Sequence, residues 1–198
     1  MTIIFFIKSK TVNIDKYNVK DIPGSSGRID VISRCILSAI LNNNDFDRQT
    51  QIWVFLDRYG TFIFDPESFN YRTFPRNELL FTDYFVDFLR KYRANEDLRV
   101  NPLGKIKSSN LNIVDAINHF KKSNYNLFVL HEQGHYFFEI LNNVREKKNN
   151  VFIIGSQDDE FINSKELLAL NIPTISLGNQ SYLASSVIRL LKLHLLSL

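Results

Sequence analysis

The chain has 198 residues, 44% of them hydrophobic and 23% charged, a composition that excludes a disordered or fibrous protein and allows a sizeable buried core. A net charge of only +3 excludes any case for a polyanionic partner made from charge alone, so such a case must rest on where basic residues gather. Cys35, the single cysteine, excludes an intrachain disulfide and a cysteine-built zinc site, which fits a reducing cytoplasm.

The first apolar run, "IIFFI" from Ile3, is too short for a signal peptide or a membrane span and reads as a buried strand. Next comes "DIPGSSGRIDVISRC", Asp21 to Cys35. Pro23 and Gly24 make a turn there, Ser25 or Ser26 can cap the helix that follows, and Gly27 allows close backbone approach. The free amides of such a helix start form an anion site, to which Arg28 and Arg34 add donors suited to phosphate or a base edge. Asp30 lies in the first turn, four residues before Arg34, a stabilising pair spacing. All of these features are equally available to a purely structural turn. Ile32, Cys35, Ile36, Ala39 and Ile40 then keep one apolar helical face, so Cys35 reads as core rather than nucleophile.

Further along, "QIWVFL" from Gln51 and "TFIF" from Thr61 read as strands joined by a short turn. Leu80, Tyr84, Phe85, Phe88 and Leu89 have helical spacing, as do Leu111, Val114, Ile117 and Phe120. Between them, the polar stretch from Lys91 to Asn110, with Lys105 and Lys107, reads as a long surface loop and is the most basic in the chain. "LFVLH" from Leu127, "VFIIG" from Val151 and "PTISL" from Pro173 read as further strands. No metal site is expected from His131 and His135: their helical i, i+4 spacing straddles Gly134 and lacks the glutamate of a zinc-protease motif. The closing "YLASSVIRLLKLHLLSL" reads as a helix buried on most of its circumference, with Arg189, Lys192 and His194 arguing against a membrane span. Continuously apolar strands alternating with helices predict a single α/β domain over 1–198, a mostly parallel sheet with helices on both faces.

The Asp21–Cys35 string resembles the N-terminal signature of the archaeal tRNA pseudouridine-54 N1-methyltransferases, the TrmY family. Asp21, Pro23, Gly24, Ser25, Gly27, Arg28, Asp30, Arg34 and Cys35 match it. "LFVLHEQG", "VFIIG" and "ISLGNQSYLA" fall in the order, and near the separations, of that family's cofactor-binding segments, while residues 60–126 align only loosely. The resemblance implies the SPOUT class of fold, with a C-terminal trefoil knot that no periodicity predicts, and a homodimer formed through the knot helices. It implies S-adenosyl-L-methionine as cofactor, held by Leu130, His131, Gly155, Ser176, Leu177, Gly178 and Leu183. It also implies tRNA or another structured RNA as partner, with no membrane association, and methyl transfer to N1 of pseudouridine 54. Asp30, as a base or as a group orienting the uracil edge, and Arg28 would be catalytic, with Ser25, Arg34, Lys105 and Lys107 binding the RNA. The chain departs from the family where Ser156 and Gln157 replace an Asp-His pair, and where Ser186 and Val187 replace His-Cys. These departures leave two alternatives open: an RNA-binding dimer without catalysis, and a methyltransferase for a pseudouridine in another RNA.

Overall fold

A computed structural model of the chain describes residues 1–155 and 161–196. Its strands are β1 (Thr2–Ser9), β2 (Thr50–Leu56), β3 (Gly60–Phe64), β4 (Lys107–Ser109), β5 (Asn126–Tyr136), β6 (Asn149–Ile154) and β7 (Thr174–Ser176). The helices are α1 (Ile22–Ser26), α2 (Ile29–Ile40), α3 (Glu78–Ala94), α4 (Ile113–Lys122), α5 (Phe137–Glu146), α6 (Lys165–Leu168) and α7 (Ala184–Leu196). The described residues form one seven-stranded sheet in the order β4-β3-β2-β1-β6-β5-β7. All neighbours run parallel except β2 with β3 and β3 with β4. Residues 57–59 are too few for a crossover, so β3 returns as a hairpin.

The central strands are apolar throughout because successive side chains feed two different cores. Ile3, Phe5 and Ile7 of β1 join Ile52 and Val54 of β2 and Phe152 and Ile154 of β6 on one face, where α2, α3, α5 and α7 pack. Ile4 and Phe6, Trp53 and Phe55, and Val151 and Ile153 point to the other face, where α4 and α6 pack. There the Phe120 ring meets Phe6 edge-on at 5.6 Å and Trp53 at 5.3 Å. The mostly parallel sheet with helices on both faces is therefore as expected. The stretch expected as one long loop from Lys91 is not one loop: α3 runs on to Ala94, and β4 takes 107–109 onto the edge of β3. Among the described residues no helix is long and apolar enough to cross a membrane.

Strand β5 is irregular in a way that shapes the molecule. Val129 and Leu130 pair with Thr174 and Ile175, then His135 and Tyr136 pair with Ile175 and Ser176. Ile175 thus has two partners in β5, and residues 131–134 form an arch between them, an irregularity in the parallel pairing. Gly134 is required at the crossing, because a Cβ there would lie 2.6 Å from the Ile175 backbone. His131 and His135, spaced as if on a helix, instead belong to strand β5, one within the arch and one just after it.

Helix α7 is fastened to the C-terminal end of α2. Lys192 Nζ, its side chain 11% exposed, donates to the carbonyls of Ser38, Ala39 and Leu41 at 3.1, 2.7 and 2.8 Å and lies 3.3 Å from Asp47 Oδ2. The ammonium satisfies carbonyls that a helix end otherwise leaves open and complements the α2 dipole. Burial pulls the Lys192 ammonium below the ordinary lysine value, and Asp47 opposes that shift. Lys192→Met is expected to lower the unfolding free energy by about 3 kcal/mol, since it strands buried carbonyls and a carboxylate. A denaturant melt at pH 7 measures this, and an unchanged midpoint would contradict the fastening role.

Candidate active site

Helix α1 is little more than one turn, with Pro23 near its start and Asp21 accepting the Gly24 N–H at 3.1 Å. Ser25 does not cap α2: its hydroxyl accepts the Asn18 N–H at 2.8 Å and donates to the Asp21 carbonyl. Ser26 serves that end, accepting the Ile29 N–H at 3.2 Å. Between α1 and α2 the chain passes through two consecutive left-handed residues, Gly27 at φ 60° and Arg28 at φ 70°. A Cβ on Gly27 would fall 1.9 Å from the Thr11 carbonyl oxygen, so this position accepts only glycine. Arg28 is an L-residue held in the left-handed region, a strain of about 1 kcal/mol that surrounding contacts must hold in place.

Those contacts centre on Asp30. Its side chain is 7% exposed, and the carboxylate accepts from Arg28 Nε at 3.0 Å, Arg28 Nη2 at 3.1 Å and Arg34 Nη2 at 3.0 Å. The helical spacing thus places Asp30 on Arg34 as expected, and the turn brings Arg28 to the same carboxylate in a two-point grip. The hydrogen bonds that Arg28 donates to Asp30 push its guanidinium above the ordinary value. Each arginine side chain keeps about one third of its surface exposed, at 35% and 34%. Glu78, at the start of α3, approaches Arg34 Nε at 3.9 Å.

Arg28 and Arg34 line a cavity of about 560 Å³ whose remaining walls come from the carboxyl ends of β5, β6 and β7. Leu130 and His131 of β5 line it together with Glu132 and Gln133 of the arch, Gly155 follows β6, and Ser176, Leu177 and Gly178 follow β7. Leu183, 67% exposed, and Tyr182, 40% exposed, form a rim before α7. The Ser176 hydroxyl accepts the Gly178 N–H at 3.1 Å and donates to its carbonyl at 2.9 Å, which fixes that loop. His131 Nδ1 accepts the Gln133 N–H at 3.1 Å. Parallel strands direct their carboxyl ends to one side of the sheet, which is why three separate loops meet here.

The structure thus gathers nine of the residues singled out in the sequence around one cavity: Arg28, Arg34, Leu130, His131, Gly155, Ser176, Leu177, Gly178 and Leu183. Asp30 stands behind the two arginines. Ser25 has its hydroxyl engaged within the α1 turn. Lys107 lies on β4, with β3, β2 and β1 between it and β6, and its ammonium is 2.8 Å from Asp65; Lys105 is exposed just before it. Neither lysine lines the cavity. Ser156 and Gln157 lie outside the described residues, whereas Val187 lines the cavity from the first turn of α7. The sequence reading did not single out Glu78, Glu132, Gln133 or Tyr182. For Gln133 the signal was its place two residues after His131, and Glu78 carried none. Cys35 is fully buried, and burial pushes its thiol up to about 12, which keeps it out of nucleophilic chemistry.

Residues 2–198 match the family model described as "Putative SAM-dependent RNA methyltransferase". The tRNA (pseudouridine(54)-N(1))-methyltransferase of Thermococcus onnurineus is 28% identical, over 96% of this chain and 95% of that protein. The enzyme of the same name from Methanococcoides burtonii is 30% identical, over 87% and 84%. Archaeoglobus fulgidus Nep1, in a crystal structure bound to S-adenosylhomocysteine, shares the fold at a TM-score of 0.64 and 15% identity, covering 98% of this chain and 97% of that one. The chain belongs to this family of S-adenosylmethionine-dependent RNA methyltransferases, in the group of the archaeal tRNA (pseudouridine-54 N1)-methyltransferases.

Gly27→Ala is expected to cost at least about 2 kcal/mol of stability, because the added Cβ meets backbone and the φ is unfavourable to an L-residue. Thermal melts of the variant would measure the loss. Cys35 is expected to stay unmodified by a thiol reagent at pH 8 until denaturant is added, as absorbance titration would record.

Proposed function

We propose that the protein transfers a methyl group from S-adenosyl-L-methionine to N1 of pseudouridine 54 in tRNA, as the names of its relatives state for them. One observation carries this reading: two arginines anchored on a buried aspartate open onto the same cavity as three strand-end loops. The cavity suits the cofactor. A Cβ built on Gly178 would meet nothing within 4 Å, so the loop leaves open space beside its backbone. Main-chain groups of Leu130, His131, Gly155 and Ser176 to Gly178 would hold the adenosyl part, with Leu177 and Leu183 as apolar walls.

When bound, S-adenosyl-L-methionine supplies an electrophilic methyl group. Pseudouridine is joined to its ribose through carbon, which leaves a ring N1–H that becomes an acceptor once its proton departs. Arg28 and Arg34 each keep N–H donors that Asp30 does not use. Placed against a uracil carbonyl, those donors stabilise the negative charge that develops as N1 loses its proton. Asp30 is buried with both oxygens occupied by guanidinium donors, so in this reading it positions the arginines and does not take the proton. The reading includes a homodimer: Leu193, 57% exposed, and Phe138, 37% exposed and stacked edge-on against His194, leave an apolar face across α5 and α7 that a second copy would cover. It also includes the C-terminal knot that the family resemblance implies, and the irregular pairing of β5 with β7 falls in that region.

Titration calorimetry should detect binding of S-adenosylhomocysteine by the folded protein, and no heat at all would remove the enzyme reading. A tRNA carrying pseudouridine 54 should gain one methyl group, while a uridine-only transcript should gain none because its N1 is glycosidic; equal labelling of both would refute N1 transfer. Asp30→Asn is expected to lower kcat about 100-fold, with cofactor affinity unchanged within twofold. A parallel loss of cofactor binding would instead assign Asp30 to the cofactor.

A further inference from the structure

On the α2 side of the sheet, away from the cavity, α3 presents Arg90 and Arg93 one turn apart, both exposed. Each guanidinium lies over a tyrosine ring, Arg90 at 5.8 Å from the Tyr17 centroid and Arg93 at 5.6 Å from that of Tyr59. The rings are themselves fixed. The Tyr17 hydroxyl donates to Asp83 at 3.0 Å, and the Tyr59 hydroxyl accepts the Ile14 N–H at 2.9 Å. Arg90 donates to the Ile14 carbonyl at 3.4 Å and lies near enough to Asp87 to help hold that carboxyl below its ordinary value, and Arg93 pairs with the exposed Asp15 carboxylate at 3.8 Å. Among the described residues these partners leave further N–H donors on each guanidinium for a ligand. With Ile14, Asp15 and Ala94 the two arginines line an open groove of about 440 Å³, and Lys16 and Lys20 are exposed on the adjoining segment.

This groove is tied to the active-site turn by the backbone. The Thr11 hydroxyl donates to the Gly27 carbonyl at 2.9 Å, and the Asn13 N–H donates to the Ser26 carbonyl at 3.0 Å. Segment 11–17 consequently runs from the turn that sets Arg28 to the floor of the groove. Planar guanidiniums pre-set on aromatic faces bind phosphate oxygens in a two-point geometry at little ordering cost. The groove is a basic surface separate from the cavity, where Arg28 and Arg34 are anchored on Asp30, and from Lys107, which is bonded to Asp65 at the far sheet edge.

We propose that the Arg90–Arg93 groove binds phosphodiester groups of the substrate RNA outside the target nucleotide, as a contact independent of sequence. The proposal rests on the RNA methyltransferase reading. Phosphate contacts of this type fix register and affinity and leave the choice of base to the active site.

The test compares the full-length protein with Arg90→Gln/Arg93→Gln and Arg90→Lys/Arg93→Lys, using tRNA binding between 50 and 200 mM salt together with steady-state methylation. The glutamine pair should weaken tRNA binding about tenfold and flatten the plot of log affinity against log salt by about 1.5. KM for tRNA should rise with kcat and S-adenosylhomocysteine affinity unchanged, and the lysine pair should recover most of the salt slope because it keeps both charges. An unchanged slope in the glutamine pair, or a fall in kcat with KM unchanged, overturns the groove while leaving methyl transfer standing. Wild-type protein that binds RNA through these arginines and gives no methyl product would instead overturn the methyl-transfer reading and leave the groove standing.

Discussion

Ile175 pairs with both Leu130 and His135, and this double pairing of β7 with β5 shapes the strand ends from which the cavity is built. The arch it creates has no room for a side chain at Gly134, where backbone meets backbone. Because β5, β6 and β7 are neighbours and parallel, the arch, the residue after β6 and the loop after β7 must emerge side by side. The cavity is what lies between these three exits. Its fourth wall comes from the opposite end of the sequence: α7 packs along α2, and Lys192 caps α2 where it ends. The spacing between the strand-end loops and the arginines of α2 is thereby fixed by helix packing and by one buried ammonium.

Electrostatics at the arginine wall follow from burying Asp30. An ionised carboxylate removed from water requires donors, and three guanidinium N–H groups provide them. The same bonds hold Arg28 in its left-handed conformation and take up rotamer freedom from both long side chains before any ligand arrives. What the cavity receives is a pair of cations already oriented, an arrangement that favours stabilising charge that develops during a reaction over gripping a ground state.

The sheet was legible in the sequence to the extent that its strands are covered on both faces. Runs such as Ile3–Ile7 and Val151–Ile154 are apolar at every position because odd and even residues enter different cores, and no alternative element accounts for them as well. Strand β4 was not legible: Lys107–Ser109 is polar, and only its pairing with β3 makes it a strand. Helix α5 does carry apolar spacing at Phe137, Ile140, Leu141 and Val144, but it follows β5 with no proline or glycine to mark the change. The irregular pairing of β5 with β7 depends on contacts about forty residues apart, and locally it imitates a helix through His131 and His135. Arg28, Arg34 and the strand-end loops were found because their motif is short and ordered. Lys105 and Lys107 drew attention only through the charge of their loop, and loop charge carries no information about which sheet edge the loop will occupy. Arg90 and Arg93 were hidden for a related reason, since their partners Tyr17 and Tyr59 are distant in sequence.

A division of labour between the two arginine pairs follows from how each pair is held. Arg28 and Arg34 are tied to a buried carboxylate, so extra attraction between them and a general polyanion is reduced by a charge already in place. Arg90 and Arg93 rest on tyrosine rings at the surface with Asp15 3.8 Å from Arg93, both members of that pair exposed, so their charge acts at longer range but is screened by salt. Binding taken up at such a remote surface acts alike on ground and transition states, and it lowers KM without changing the chemical step. In the proposed reading its use is positional: an RNA held at α3 would present its target nucleotide to the turn at Gly27, to which the 11–17 segment is bonded, and there the anchored guanidiniums would act on the base.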